Sequence, residues 1–192
     1  MTDYQACLYG DYDLYVNQIS DIAEEYGLTY YDFNLCREEI LDLTDDGLFR
    51  DQGHLNVYGA KIFSEVFSDF FIGLEEKTVS YEDYFYPSYQ EKLANGRERI
   101  LGLLVEREEG KDQKLCYVVT PVHNLKDKCV EYYLYTVNAA GEKTVICDWT
   151  RMEYDGTTDS FEVQVEREFG TLFIEARPEG ASDTTNFVQI NE

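Results

Sequence analysis

In "DYDLYVNQISDIAEEYG" the apolar side chains Tyr15, Ile19, Ile22, Ala23 and Tyr26 recur every three or four residues. That period predicts one amphipathic helix, with Gly27 placed as its left-handed C-terminal cap. The next run, "LTYYDF" (28–33), is short, aromatic and bounded by polar text, and reads as a strand. "NLCREEILDLTDDGLFR" then reads as a loop with room for one helical turn. Beyond it Tyr58, Ile62, Phe63, Val66, Phe67, Phe70 and Phe71 lie on one broad helical face, with Asn56 as N-cap and Gly73 as the stop. Helix, strand, loop and helix in this order form one edge of an α/β layer. A single strand cannot make a sheet, so either residues 6–9 add a strand or the sheet is small and leans on something else.

Residues 77–99, "KTVSYEDYFYPSYQEKLANGRER", are polar, tyrosine-rich and interrupted by proline, which suggests a linker that packs on its neighbours. Afterwards the pattern changes to short alternating runs at 100–106, 115–120, 130–138, 143–149, 160–165, 171–176 and 186–190. "AAGE" is a hairpin loop, and "REEGKDQK" and "EYDGTTDS" mark further turns. Strands this short and this evenly spaced predict a small antiparallel sandwich. The expected fold class is therefore α+β: a partial α/β piece over 1–75, a linker over 76–99 and an antiparallel β-sandwich over 100–192.

Charge narrows the partners. The 192 residues include 39 acidic and 16 basic side chains, a formal charge of -23. Such a chain repels phosphate backbones and anionic lipid, so no nucleic-acid partner is expected. No run reaches the roughly 18 apolar residues that span a bilayer, and the start has no export signal pattern, so no membrane segment is expected and localisation is left open. The five cysteines lack metal-ligand spacing, which implies no metal and no cofactor; they read as buried free thiols, with one disulfide among Cys116, Cys129 and Cys147 left open.

The most specific stretch is "DQGHLNVYGAKIF" (51–63). An Asp three residues before a His on a turn can fold its carboxylate back to the imidazole. In a serine hydrolase that contact fixes the tautomer of the base and stabilises the imidazolium. A polar pair at a helix start can also simply satisfy backbone donors. The other histidine, His123 in "TPVHNL", has no acidic or cysteine neighbour at ligand spacing and reads as a loop residue without a role.

Preceded by "YYDFN" and "DDGLFR", the stretch resembles the final block of the SGNH/GDSL hydrolase family, Asp-x-x-His-Leu-Asn-x-x-Gly. The resemblance covers about residues 12–75. It implies that His54 is the general base of a Ser-His-Asp triad and Asp51 its orienting carboxylate, while Leu55, Asn56 and Gly59 set the turn and let the helix lie close to the sheet. The family's Gly-Asp-Ser and Gly-x-Asn-Asp blocks have no counterpart here. "YGDYD" matches the first at Gly10 and Asp11 but has Tyr12 where the serine belongs.

The function this implies is the C-terminal portion of an SGNH-type serine esterase or acyltransferase, inactive alone, whose complete form acts on an acyl ester or acylated glycan. An apolar strip left open on the first piece would favour dimerisation, and the family suggests a secreted or cell-surface parent. The alternative is a non-catalytic, surface-associated module that binds glycan or protein through an Ig-like β-domain. In that reading Tyr132, Tyr133, Tyr135 and Trp149 stack on a ligand; in the simpler one, alternate tyrosines fill the sandwich core.

Overall fold

The computed structural model describes residues 1–8, 10–43, 46–51, 53–108, 114–153, 159–166, 169–182 and 186–191. The chain is α+β, built of helices and antiparallel sheets, and divides into two compact units, Met1–Arg97 and Glu98–Glu192.

The first unit is mainly helical. Its elements are α1 (Asp3–Leu8), α2 (Tyr12–Glu25), β1 (Phe49–Asp51), β2 (His54–Leu55), α3 (Val57–Glu76), α4 (Tyr81–Tyr84) and α5 (Tyr89–Asn95). Phe70 of α3 is fully buried at the centre of an aromatic cluster. The rings of Tyr31, Phe33 and Phe85 meet it edge-on, with centroids 5.0, 5.8 and 5.1 Å away. This is the geometry that ring quadrupoles favour. Beside the cluster, the Lys92 ammonium donates to Asp3 Oδ1 and to the Asn34 carbonyl oxygen, both at 2.8 Å. Lys92 is 2% and Asp3 5% exposed, so each ion depends on the other for its solvation. Together with the Tyr89 hydroxyl, which donates to the Asp3 carbonyl, this pair ties α1 and α5 to the 3-10 turn Phe33–Leu35.

Several expectations for this unit are corrected. Residues 28–33 join no sheet; Phe33 instead opens the 3-10 turn, capped by the Asp32 carboxylate, which accepts from the Asn34 N–H. Strand propensity in this run has no partner strand to act on. Residues 6–8 are the end of α1, not a strand, and Tyr9 lies outside the described residues. The only sheet of the unit is the antiparallel ribbon β1–β2, so no parallel α/β layer is present among the described residues. Gly73 does not stop α3. It is buried inside it, where a Cβ would press on both Val79 methyls at 2.8 and 2.9 Å, and the left-handed cap falls on Lys77 (φ 58°). The stretch expected as a linker holds α4 and α5 and buries Phe85, Tyr86 and Tyr89 within the first unit.

The helix predicted around Tyr15 is present, with Gly27 at φ 68° after it, but its apolar stripe faces outward. Tyr15, Ile19, Ile22 and Tyr26 are exposed, while Tyr12 is the residue that α2 buries.

The second unit has all seven strands that alternation predicts: β3 (Ile100–Glu108), β4 (Leu115–His123), β5 (Val130–Val137), β6 (Lys143–Arg151), β7 (Phe161–Val165), β8 (Thr171–Pro178) and β9 (Asn186–Asn191). They form two antiparallel sheets, ordered β3-β4-β7 and β6-β5-β8-β9. In β7 and β8 every second residue is buried, and Val119, Val163, Leu172 and Ile174 from both sheets share one apolar cluster. The β5–β6 hairpin turns at Gly141 (φ 81°), where only glycine is unstrained, and Asn138 N–H donates to the Glu142 carbonyl. The expected turns at 109–113 and 154–158 lie outside the described residues. All five cysteines are free thiols.

Replacing Lys92 by Ala strands the Asp3 carboxylate in a buried site and should cost about 3–5 kcal/mol. Urea denaturation of Lys92→Ala, Asp3→Ala and the double variant tests this: the double should lose clearly less than the sum of the singles.

Candidate functional site

The Asp51–His54 pair is built by local constraints. Asn56 caps α3: its side-chain oxygen accepts from the N–H groups of Tyr58 and Gly59 at 2.9 and 3.0 Å. Its amide nitrogen donates to the Gly47 and Phe49 carbonyls, and its backbone N–H donates to Leu48 O. One residue thereby holds the helix start against the segment that enters β1. Gly59 lets the two come together, because a Cβ there would collide with the Leu48 carbonyl oxygen. The resemblance implies close packing against a sheet at this glycine; the contact is with the 3-10 turn Asp46–Leu48 instead.

On this base β1 and β2 pair with Phe49 opposite Leu55 and Asp51 opposite His54. Gln52 lies outside the described residues. Asp51 Oδ1 accepts from Gly53 N–H at 3.1 Å and meets His54 Nδ1 at 2.7 Å. Arg50 approaches Oδ2 at 3.4 Å. The bond from His54, then the Gly53 N–H, holds the Asp51 carboxyl down at about 2. An ionised carboxylate can only accept, so Nδ1 carries a proton, and in the neutral ring the lone pair is then on Nε2. Among the described residues no group is bonded to Nε2. The ring is thus a base with its acceptor nitrogen turned to solvent: the His54 side chain is 70% and Asp51 48% exposed.

Among the described residues, no nucleophile is hydrogen-bonded to it. Ser64 and Ser68 donate their hydroxyls to the carbonyls of Ala60 and Ser64 along α3. Tyr12, which stands where the resemblance would place a serine, is buried, and its hydroxyl donates to Asp32 at 2.6 Å. Residues 10–13 of "YGDYD" are a helix start, with Gly10 at φ 67° in the turn and Asp11 at the N-cap of α2.

Sequence reasoning missed the groove under the ribbon. Phe49 and Leu55 line an open cavity of about 450 Å³ with Phe33, Phe63, Phe67 and Phe71. Strict alternation would put Phe49 on the same face as Asp51; the register is irregular between them, so no regular pattern announces the groove.

In the second unit, Tyr132 turns inward and stacks on Phe161 at 4.0 Å, whereas Tyr133 and Tyr135 project from the other face of β5. There Tyr133 stacks with Trp149 at 5.4 Å and Tyr135 with Phe173 at 4.8 Å. Lys143 lies 3.6 Å over the Tyr135 ring and Arg177 3.9 Å over Trp149. His123 ends β4, and its Nδ1 accepts from Leu125 N–H at 3.2 Å; burial lowers its pKa, which favours the neutral ring that this bond requires.

Comparison with known protein families, curated proteins and solved structures finds no match for this chain.

Two outcomes follow from the site. Because its folded pKa is depressed, Asp51 should titrate near 2 by carboxyl carbon NMR and move up toward the ordinary aspartate range in His54→Ala. The stability it adds is present above the ordinary aspartate pKa and lost as pH falls through about 2. Gly59→Ala should lower stability by about 1–3 kcal/mol in urea denaturation, since the steric clash outweighs the roughly 1 kcal/mol that alanine gains over glycine in a helix.

Proposed function

We propose that Asp51 and His54 are the carboxylate and general base of an SGNH-type serine hydrolase or acyltransferase, and that the serine they serve lies outside this sequence. The observation that carries this reading is the 2.7 Å contact between Asp51 Oδ1 and His54 Nδ1, which leaves Nε2 free on an exposed ring. In such a reaction Nε2 takes the hydroxyl proton as the serine attacks an acyl ester, and Asp51 steadies the imidazolium that forms. The chemistry fits a reaction class, ester hydrolysis or acyl transfer, and requires neither metal nor cofactor.

A second reading rests on the outer face of β5. Tyr133, Tyr135, Trp149 and Phe173 stack on one another there instead of filling the core. This placement favours an accessory role for the second unit as an Ig-like sandwich that binds glycan or protein. The cations over two of these rings fit a partner that offers both hydrogen-bond acceptors and flat apolar faces.

With p-nitrophenyl acetate, the chain alone should show no turnover above buffer, and His54→Ala should leave that background unchanged. Turnover that disappears in His54→Ala would place a working nucleophile in the chain and overturn the half-triad reading.

A further inference from the structure

The first unit holds a strand-like segment without a sheet. Residues 28–33 have strand composition, yet among the described residues no main-chain hydrogen bond reaches Thr29, Tyr30 or Tyr31. Backbone N–H and C=O groups are strong, obligatory bonding groups, and an unpaired row of them is a template for another strand. What flanks this row is apolar. Just before it in the chain, α2 presents Tyr15, Ile19, Ile22 and Tyr26 as a single stripe at spacings of four, three and four; Ile22 is 58% and Tyr26 74% exposed. Leu28, 66% exposed, continues it. At its end, Tyr31 and Phe33 pack on α3, with centroids 5.6 Å from Phe71 and 5.6 Å from Phe67, and line the open aromatic groove. Exposed apolar side chains in such number on a unit of 97 residues are what an interaction surface presents.

Charge selects the occupant. Residues 1–36 contain no Lys or Arg, while Asp21, Glu24 and Glu25 are exposed on α2. A second copy brings the same one-signed surface and a charge of -23, and is repelled. A strand with Lys or Arg between apolar residues is attracted and can satisfy the main chain as well. We infer that residues 29–31 are a docking edge for an extended partner segment of alternating apolar and basic residues. It pairs with them main chain to main chain and seats its apolar side chains between the α2 stripe and the aromatic groove. This inference is independent of the hydrolase reading, since it uses neither Asp51 nor His54.

The probe is a fluorescent peptide of alternating Val and Lys, titrated with the full chain by anisotropy. It is compared with a twin N-methylated at every second residue and with a Val and Glu peptide. Saturable binding of the Val and Lys peptide is expected. It should weaken by at least about tenfold on N-methylation and in Ile22→Asp or Leu28→Asp, and the Glu peptide should not saturate. Ile22 and Leu28 are exposed, so both variants should keep the wild-type circular dichroism. Equal binding of the N-methylated twin, unchanged binding in Leu28→Asp, or no saturable binding overturns the edge. Sedimentation equilibrium showing a dimer that dissociates in Leu28→Asp would assign the surface to a second copy and overturn it equally. Ester turnover plays no part in these readouts, so failure here leaves the proposed chemistry standing, and the reverse holds too.

Discussion

The candidate site depends on one side chain, Asn56. Its oxygen satisfies two of the free N–H groups at the start of α3, and its amide nitrogen reaches back to the Gly47 and Phe49 carbonyls. A helix start and the preceding turn are thus joined through one amide, and Gly59 permits the approach by lacking a Cβ. Once this joint is fixed, the chain between Leu48 and Asn56 has little choice but to double back as a ribbon. The doubling sets Asp51 opposite His54. The pair is therefore held by the helix cap and the ribbon, without help from a surrounding sheet.

The same joint divides the ribbon into two chemical faces. Asp51 and His54 stand outward, ionised or basic and wet, while Phe49 and Leu55 turn inward over the aromatic groove. On the far side of that groove the Phe70 cluster anchors α3, and the buried Lys92–Asp3 pair locks the helices that close the unit. The exposed pair at the ribbon thus rests on a core of rings and one desolvated ion pair. The first unit keeps its interior closed and still leaves apolar side chains on α2 uncovered.

Legibility in the sequence followed the range of the forces. The cap at Asn56, the helix behind it and the contact between residues three apart are local, and each could be read from a few neighbouring letters. The seven strands of the second unit could be read because alternation with period two is their direct imprint. Residues 28–33 carry strand propensity, which describes a surface that needs a partner, and the described residues provide none there. Gly73 stands where a helix stop is expected, but its real constraint is Val79 folding back against it. The Lys92–Asp3 pair joins residues 89 apart, and no local pattern could announce it. Tyr133 and Tyr135 illustrate the last limit: alternation says that Tyr132 and Tyr133 face opposite ways, but not which of them faces the core.

The chemistry of the pair depends on the direction of one proton. Long-range proton–nitrogen correlation NMR at neutral pH reports which ring nitrogen of His54 is protonated. For the neutral ring, the Asp51 contact predicts the Nδ1–H tautomer, and a return to the Nε2–H tautomer that free histidine prefers when Asp51 is replaced by Ala. A wild-type ring protonated at Nε2 would contradict the account, because a histidine in that state cannot accept the proton of a nucleophile from the solvent side.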